Sequence, residues 1–376
     1  MSISSYKYIK NFKKKIFPIG FGCGIANYKN SNYSYTKHLS NAVKLAFDLN
    51  CNFFDTAPVY GNRVSEIILG NSFSSKQKDK MIITTKISPE MLSKSNIIKS
   101  VDQSRKNLKS DILDLVQVHW PNPNINLFET MDTLFRLQKD NIINSIGICN
   151  YSFADFKKII RRYGANFLST FQTEYNLFDR TVDGNFYNFL LKNKIILLAY
   201  SPLAQGKIFN GSYQGEILRE MSIKYNITIP QIVLNWLSNK RNILPLVNSS
   251  NKKRIIENFE SVNEKISKEN LLVIDKKCNS KVERVEVKNI IPFSNLTYKN
   301  YKNVFEAKKN FLAFSPSPSI LAQEILKTKT IKPIRVTKKS FKDKKLYLIE
   351  GRLRFWAWII AFGRKKKIPT IKWINY

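Results

Sequence analysis

The chain has 376 residues and carries 62 Lys and Arg against 28 Asp and Glu, a formal net charge of +34. Hydrophobic residues make up 43%, which is enough for a sizeable core and excludes a wholly disordered protein. The basic balance is compatible with a nucleic-acid or membrane-surface partner. No arginine-rich stripe stands out, however, so a Lys- and Asn-rich surface is the favoured interpretation. At roughly 100–200 residues per domain, the length predicts one large domain or two unequal ones.

The cysteines and the apolar runs indicate which metal sites, cellular compartment and membrane segments to expect. The four cysteines are Cys23, Cys51, Cys149 and Cys278. None forms a CxxC pair and only two histidines exist, so a structural zinc site is not expected. Widely spaced lone cysteines suit a reducing cytosol, which predicts a cytoplasmic protein. The longest apolar run, Phe355–Phe362, is far short of the ~20 residues that span a bilayer. It predicts a buried helix and no membrane partner.

Short apolar runs alternate with helical periodicity between residues 17 and 260. Strands are predicted at 19–22, 52–57, 81–87, 114–120, 143–150, 168–175, 195–202 and 243–249. Helical spacing of apolar residues occurs at Leu39–Leu49, Ser95–Leu108, Leu127–Lys139 and Ser152–Arg162. Eight such repeats over about 250 residues predict a (β/α)8 TIM barrel. The competing fold is a doubly wound sheet, but GFGCG at 20–24 lacks the rest of a dinucleotide-binding turn.

Four polar residues stand at or just beyond the carboxyl ends of predicted strands, where barrels form active sites: Asp55, Tyr60, Lys86 and His119. A ketone that accepts hydride needs a proton, and the Tyr60 phenol can give one, although its ordinary pKa is about 10. A Lys86 ammonium would lower that pKa, and Asp55 would hold Lys86 in place. His119 would polarise the carbonyl oxygen or pass on the proton. Each residue alone is more often an ordinary rim or core residue, so the prediction depends on their order along the strands.

The motifs around these residues resemble the aldo-keto reductase superfamily. They are DTAPVYGN at 55–62, ITTKI at 83–87 and DLVQVHWP at 114–121, followed by GICNYS at 147–152, FQTEYN at 171–176, AYSPLAQG at 199–206 and SSNKKRIIENF at 249–259. The resemblance covers residues 17–260. It implies a TIM barrel that uses NADPH, with NADH as the alternative, a small-molecule carbonyl substrate, and Tyr60 as the proton donor.

The same resemblance implies a set of cofactor-binding residues. Asn150 and Gln172 would hydrogen-bond the nicotinamide carboxamide, and Tyr200 would stack on the ring. Further cofactor contacts are implied for Gly22, Cys23, Ser201, Leu203, Gln205, Ser249, Arg254 and Asn258. Arg254 would lie near the 2′-phosphate, which suits its forked guanidinium. The chain departs from the family at Cys149, where serine is usual, and at Asn248, where many members have lysine.

The pattern changes near residues 262–290, which predicts two domains, 1–280 and 285–376. The second is predicted as a small α+β unit with strands near 285–290, 334–337, 346–349 and 370–373 and helices near 319–327 and 353–362. It is strongly basic, with 19 Lys and Arg against 4 Asp and Glu in residues 301–376. The basic turn GRKKK at 363–367 is a candidate nucleic-acid patch, but a solvated turn is favoured.

The second unit resembles the ParB/sulfiredoxin-like domain superfamily. The resemblance rests on a helix at Leu321–Ile325, a strand at Pro333–Val336, and a box that contains Gly351, Arg354 and Ala357. It implies nucleotide contacts at Gly351, Arg352 and Arg354. A glycine that opens a helix can leave backbone N–H groups for a phosphate. Because the box holds no cysteine, sulfiredoxin activity is not expected.

Two functions follow from these patterns. The first is a reductase of an aldehyde or ketone, with a sugar or a nucleotide-linked sugar as a candidate substrate. The alternative is a cofactor-sensing regulatory or nucleic-acid-binding protein that acts through its basic carboxy-terminal domain. The intact group of Asp55, Tyr60, Lys86 and His119 favours the enzyme, because a sensor has no need of a proton donor.

Overall fold

In a computed structural model of the protein, eight parallel strands close into a barrel in sequence order. The structure describes residues 6–9, 12, 14–24, 33–209, 213–278, 282–292, 300–314, 316–328, 331–338 and 345–372. The barrel strands are β1 Gly20–Gly22, β2 Phe53–Asp55, β3 Ile82–Ile87, β4 Leu113–Val118, β5 Ile143–Cys149, β6 Leu168–Glu174, β7 Ile196–Tyr200 and β8 Ile243–Val247. All eight predicted strands and the TIM barrel are thus confirmed. Six of the eight strands end one or two residues earlier than predicted, because the residues beyond them belong to loops.

The strands are apolar runs because both of their faces are covered, the inner by the barrel interior and the outer by helices. Every residue of β3, for example, is buried. The register places Lys86 beside Gln117 on β4 and Asp55 beside Thr84 on β3. Polar side chains near the carboxyl ends of neighbouring strands therefore lie next to one another.

Helices follow the strands as predicted. They are α1 Tyr33–Asp48, α2 Val64–Ser72, α3 Ser75–Lys78, α4 Lys94–Leu108, α5 Leu127–Lys139, α6 Phe153–Tyr163, α7 Asn185–Lys192, α8 Tyr213–Tyr225, α9 Ile229–Asn239, α10 Lys252–Glu260 and α11 Lys268–Lys277. Several begin at side-chain caps, which satisfy amide groups left open by the first turn. The Ser152 hydroxyl accepts a hydrogen bond from the Asp155 amide, and the Asn251 side chain accepts one from the Arg254 amide, each 3.1 Å long.

An amino-terminal hairpin closes the end of the barrel at which the strands begin. Lys7 and Ile16 form an antiparallel bridge. Ile9 and Ile16 pack into one cluster with residues near the starts of the strands, among them Phe53 and Ile82. The Lys7 ammonium donates hydrogen bonds to the carbonyls of Ser238, 2.6 Å away, and Lys240, 2.8 Å away. This hairpin was not predicted, because its Lys-rich segment has neither strand alternation nor a turn motif.

The described residues divide into two compact units. The barrel unit comprises Met1–Asn176, Val182–Gly206 and Glu220–Leu272, and the carboxy-terminal unit comprises Leu177–Thr181, Lys207–Arg219 and Val273–Tyr376, each as far as the structure describes it. The carboxy-terminal unit thus includes two earlier segments that the predicted boundary assigns to the first domain. In the described part of the chain, no helix is long and apolar enough to cross a membrane.

The carboxy-terminal unit contains a five-stranded mixed sheet in the order β10-β12-β11-β13-β9. Its elements are β9 Val282–Glu286, β10 Ile290–Pro292, α12 Val304–Lys309, α13 Pro318–Thr328, β11 Ile334–Thr337, β12 Leu346–Glu350, α14 Arg352–Phe362 and β13 Lys367–Lys372. The predicted single strand at 285–290 is wrong. Its residues divide between β9 and β10, which are the two opposite edges of the sheet, so the chain must leave one edge before it reaches the other. Helix α12 was not predicted, and residue 373 of the predicted last strand lies outside the described residues.

The core of the carboxy-terminal unit is built on α14. Phe355, Trp356 and Trp358 are buried among apolar residues of the sheet and of α13. The predicted buried helix at 355–362 is therefore confirmed. The unit also buries charge, since the Arg335 guanidinium contacts the carboxylates of both Asp179 and Glu350.

Candidate active site

The four predicted catalytic residues lie together at the carboxyl end of the barrel. Asp55 ends β2, Lys86 is in β3, His119 follows β4, and Tyr60 is in the loop between β2 and α2. The Lys86 Nζ lies 2.7 Å from Asp55 Oδ2 and 3.4 Å from the Tyr60 hydroxyl. The His119 ring stands edge-on to the Tyr60 ring with centroids 6.0 Å apart. The ammonium, the phenol and the imidazole therefore lie close together.

The loop that carries Tyr60 is held by short polar contacts. The hydroxyls of Thr56 and Ser65 are 2.7 Å apart, and Ser65 also donates to the carbonyl of Cys23, 3.2 Å away. Gly24 lies flat against the Tyr60 ring, since a Cβ added there would stand 2.9 Å from the ring carbon Cζ. The position of the phenol thus depends on a missing side chain as well as on hydrogen bonds.

Lys86 and Asp55 form a buried ion pair, with side chains 1% and 5% exposed. Burial by itself lowers the pKa of Lys86, but the neighbouring Asp55 carboxylate is the main influence that outweighs it and raises that pKa above its ordinary value. Burial raises the pKa of Asp55, and Lys86 and Gln172 oppose that rise. Lys86 also donates to the carbonyl of Thr56, 3.0 Å away. The ammonium therefore stays charged and fixed in position.

The pKa values of Tyr60 and His119 are shifted in opposite directions. Burial raises the pKa of Tyr60, and the opposing effect of Lys86 is smaller, so the net shift is upward rather than the lowering expected from Lys86 alone. The phenol is therefore protonated at neutral pH, the state a proton donor needs. Burial, together with the charge of Lys86, lowers the pKa of His119 to about 3. The imidazole is consequently neutral and can donate a hydrogen bond without carrying charge.

Two amides and a thiol lie beside these four residues, on β6, at the end of β5 and directly after β5. Gln172 Nε2 donates to Asp55 Oδ1 at 3.2 Å, and the Cys149 thiol donates to Gln172 Oε1, also at 3.2 Å. Asn150 Nδ2 donates to the carbonyl of His119 at 3.2 Å. The Tyr200 hydroxyl donates to Asn150 Oδ1 at 3.1 Å. The structure therefore brings these predicted cofactor residues to the same end of the barrel as the four predicted catalytic residues.

The remaining predicted cofactor residues fall into three neighbouring places at this end. Gly22 and Cys23 lie at the end of β1, where the Cys23 amide donates to the carbonyl of Asp55. Ser201, Leu203 and Gln205 follow β7, and Ser249, Arg254 and Asn258 lie after β8 and in α10. Arg254 is exposed and Asn258 is buried. The Asn248 amide, at the position of the family's lysine, donates to the carbonyl of Gly24.

The sequence of this chain is similar to those of known reductases. Residues 18–279 match the Aldo/keto reductase family. This chain belongs to that family. Methylglyoxal reductase DkgB of Escherichia coli O157:H7 is 32% identical over 200 residues, which are 52% of this chain and 72% of that protein. The aldo-keto reductase YhdN of Bacillus subtilis (strain 168) is 30% identical over 200 residues, 49% of this chain and 59% of that protein.

Solved structures agree with the family assignment. A thermostable aldo-keto reductase in complex with the inhibitor epalrestat superposes with a TM-score of 0.66 at 27% identity, covering 72% of this chain and 98% of that one. An aldo/keto reductase from Klebsiella pneumoniae in complex with NADP and acetate gives a TM-score of 0.67 at 21% identity, covering 74% and 96%. At that identity the likeness shows the fold. The chain is accordingly an oxidoreductase of the aldo-keto reductase type.

The predicted nucleotide box of the carboxy-terminal unit lies outside the region matched to the reductase family. Gly351 precedes α14 with a positive φ of 96°. Arg354 donates to the carbonyls of Lys332, 3.0 Å away, and Pro333, 2.6 Å away, and pairs with Glu350 at 3.0 Å. The guanidinium of Arg352 lies 5.5 Å from the centre of the Phe314 ring. Arg354 thus joins parts of the fold, whereas Arg352 stacks on an aromatic ring.

One buried carboxylate next to the Tyr60 loop of this reductase was not among the predicted site residues. Glu66, fully buried in α2, accepts 2.7 Å hydrogen bonds from the hydroxyls of Thr85 and Ser104. It also accepts 3.0 Å hydrogen bonds from Arg63 and Asn107. These contacts connect the start of α2, which follows the Tyr60 loop, to β3 and α4. The sequence feature that could have identified Glu66 is its position, as a charged residue, on the face of α2 that carries the buried apolar residues.

Proposed function

We propose that this protein reduces an aldehyde or ketone with NADPH and that Tyr60 is the proton donor. The observation that carries the proposal is the Lys86 ammonium, 2.7 Å from Asp55 and 3.4 Å from the Tyr60 hydroxyl. A fixed cation beside a phenol stabilises the phenolate that remains after the proton has left. Among the relatives, the methylglyoxal reductases support a small carbonyl compound as substrate. A sugar or nucleotide-linked sugar is the wider candidate class.

The residues of the reductase suit a nicotinamide cofactor, which supplies the hydride when it is bound. Asn150 and Gln172 offer amide groups for the carboxamide, and Tyr200, half-buried at the end of β7, offers a ring face. Arg254 is exposed in the first turn of α10, where its charge and the helix N-terminus both favour a phosphate. These features support NADPH over NADH, even though Asn248 replaces a lysine.

In the proposed reaction, two neutral donors hold the carbonyl oxygen. The Tyr60 hydroxyl and the His119 imidazole lie close enough together for both to donate to that oxygen, and their hydrogen bonds strengthen as negative charge develops on it. Tyr60 then gives its proton to the alkoxide. The Lys86 ammonium stabilises the resulting phenolate, while Asp55 keeps Lys86 in place. The reverse oxidation uses the same groups in the opposite order.

The test combines cofactor binding with turnover. Fluorescence titration with NADPH and NADH measures the two dissociation constants, and a panel that contains methylglyoxal, simple ketones and phosphorylated sugars measures turnover. Tyr60→Phe should bind NADPH normally and lose at least about 100-fold in turnover, as removal of a general acid does. Tyr163→Phe is the matched control, because its hydroxyl contacts Asp132 on the outer helices. Equal turnover by both variants would overturn the assignment of Tyr60.

A second proposal concerns the carboxy-terminal unit, namely that it binds a nucleotide phosphate at the start of α14 in the manner of a ParB/sulfiredoxin-like domain. The positive φ of Gly351 and the stacked Arg352 support it, whereas the carbonyl contacts of Arg354 favour a structural role for that residue. Titration with CTP and ATP tests it, with Arg352→Ala expected to weaken binding and Lys365→Ala, in the exposed turn, as control. Salt-dependent binding of DNA without nucleotide binding would favour the nucleic-acid alternative instead.

A further inference from the structure

A line of hydrogen bonds crosses the barrel interior beneath the catalytic group. Gln117 on β4 is fully buried. Its Nε2 donates to Gln172 Oε1 and to the Thr84 hydroxyl, each 3.1 Å away, and its Oε1 accepts from the Thr170 hydroxyl at 3.1 Å. Gln172 Nε2 in turn donates to Asp55 Oδ1 at 3.2 Å. One chain of polar groups therefore connects Thr170, Gln117, Gln172 and Asp55.

The intervening strand is shaped to let Gln117 reach across it. Gly147 on β5 stands directly beside Gln117 in the register, and Thr170 on β6 is its next neighbour. A Cβ at Gly147 would stand 2.1 Å from the Thr170 hydroxyl and 2.9 Å from the Gln117 side chain. Any larger residue would therefore displace the Thr170 hydroxyl and crowd the Gln117 side chain, and so disturb the hydrogen bond between them. The glycine makes room for this contact within an otherwise close-packed barrel interior.

The direction of each hydrogen bond is fixed by its neighbours. Asp55, ionised beside Lys86, can only accept, so the group of Gln172 that faces it must be the NH2. The Gln172 oxygen then faces two donors, the Gln117 NH2 and the Cys149 thiol. The Gln117 oxygen is satisfied by the Thr170 hydroxyl. Rotation of the Gln172 amide by half a turn would place its oxygen against a carboxylate and its NH2 against another NH2.

We propose that Gln117 is a positioning residue for the cofactor, because it fixes, together with Asp55, the orientation of the Gln172 amide that meets the nicotinamide carboxamide. The inference rests on the proposed reductase function and adds to it a residue that would not touch the cofactor. Gln117 acts through Gln172, so its contribution disappears when Gln172 cannot hydrogen-bond. The carbonyl substrate is held by Tyr60 and His119 instead, and its binding does not depend on Gln117.

A double-mutant cycle tests the inference. Gln117→Met keeps the length of the side chain and removes its hydrogen-bonding groups, and we expect the Kd and KM for NADPH to rise roughly tenfold while the KM for the carbonyl changes little. Gln172→Leu should weaken NADPH binding as well, and adding Gln117→Met to it should cause no further loss. Thr170→Val removes the donor behind Gln117 and should give a smaller rise in Kd, so the inference can still be tested if Gln117→Met does not fold.

The control is Asn235→Leu, which removes a buried amide that donates to the carbonyls of Ser261, 2.8 Å away, and Glu264, 2.9 Å away. We expect it to lower the stability of the protein and leave the Kd for NADPH unchanged. Unchanged NADPH binding by both Gln117→Met and Thr170→Val, or losses that add fully in the Gln117→Met/Gln172→Leu double variant, would overturn the role of Gln117. Failure of the wild-type protein to bind NADPH would instead overturn the proposed function, so the two failures are distinguishable.

Discussion

The two ends of the barrel each bury a lysine, and the two lysines differ in almost every other respect. At the closed end, Lys7 is 7% exposed and donates to two backbone carbonyls, and burial lowers its pKa to about 8. At the open end, Lys86 is 2% exposed and pairs with a carboxylate, and its pKa is raised. Burial alone thus does not make a lysine useful for chemistry. The neighbouring carboxylate keeps Lys86 charged, and Lys86 in turn acts on Tyr60.

The largest effect is expected when the positive charge of Lys86 is removed, because this eliminates the difference between the two lysines. Lys86→Met leaves the Asp55 carboxylate buried without its ion-pair partner. We expect turnover to fall by about 10²–10⁴-fold and the free energy of unfolding to fall by about 3–5 kcal/mol. Steady-state kinetics with NADPH and chemical denaturation measure the two effects. Retention of full turnover would mean that the ammonium does not assist Tyr60.

A smaller change at the same end displaces the phenol without removing a charge. Gly24→Ala introduces a Cβ that would stand 2.9 Å from the Tyr60 ring, so the ring has to move relative to Lys86. Misplacement of a catalytic group by about 1 Å can cost up to about 100-fold in turnover, and we expect a loss toward that limit with the fold retained. Kinetics and thermal unfolding check the prediction. A variant that turns over like the wild type would show that the ring does not depend on Gly24.

At the closed end, Lys7→Met should leave turnover unchanged and alter only stability. Because the folded pKa of Lys7 is lowered from 10.5 to about 8, the unfolded chain binds the proton more tightly between those values. The free energy of unfolding therefore rises with pH across that window, by on the order of 3 kcal/mol at most. The variant should lose this rise, which denaturation curves at several pH values would reveal. A parallel pH dependence in the two proteins would contradict the burial of an ammonium there.

The smallest predicted effect concerns pH, because we expect kcat to show no step where a histidine ordinarily titrates. His119, with a pKa of about 3, stays neutral in the folded protein, and the raised pKa of Tyr60 keeps the phenol protonated. We therefore expect kcat for reduction to be nearly flat from roughly pH 5 to 8, where an ordinary histidine would titrate. Stability should decrease as the pH falls below about 6.5, because only the unfolded imidazole takes up a proton there. A kcat step near pH 6.5 would contradict a neutral, buried His119.

Much of the barrel and its site follows from local pattern. Apolar runs such as 81–87 and 195–202 predicted the strands, and the motif around Asp55 and Tyr60 predicted the position of the candidate catalytic loop. Patterns of this kind depend only on nearby residues and on the periodicity of strands and helices, so they can be recognised in the sequence without knowledge of the fold. The contributions of Glu66 and Gln117 were not visible, because each acts on residues far away along the chain. The carboxy-terminal unit shows the same limit, since β9 and β10 lie next to each other in sequence and at opposite edges of the sheet.

The sequence by itself determined the barrel, the order of its strands, and the four polar residues at their ends. The tertiary structure decided the state of those residues, because pKa values depend on burial and on charges brought close by folding. It also decided that the pKa of Tyr60 is raised, and that the pKa of Lys7 is lowered while that of Lys86 is raised. The absence of a side chain at Gly147 leaves room for Gln117 to contact Gln172. These properties arise from distances between strands, which no stretch of neighbouring residues encodes.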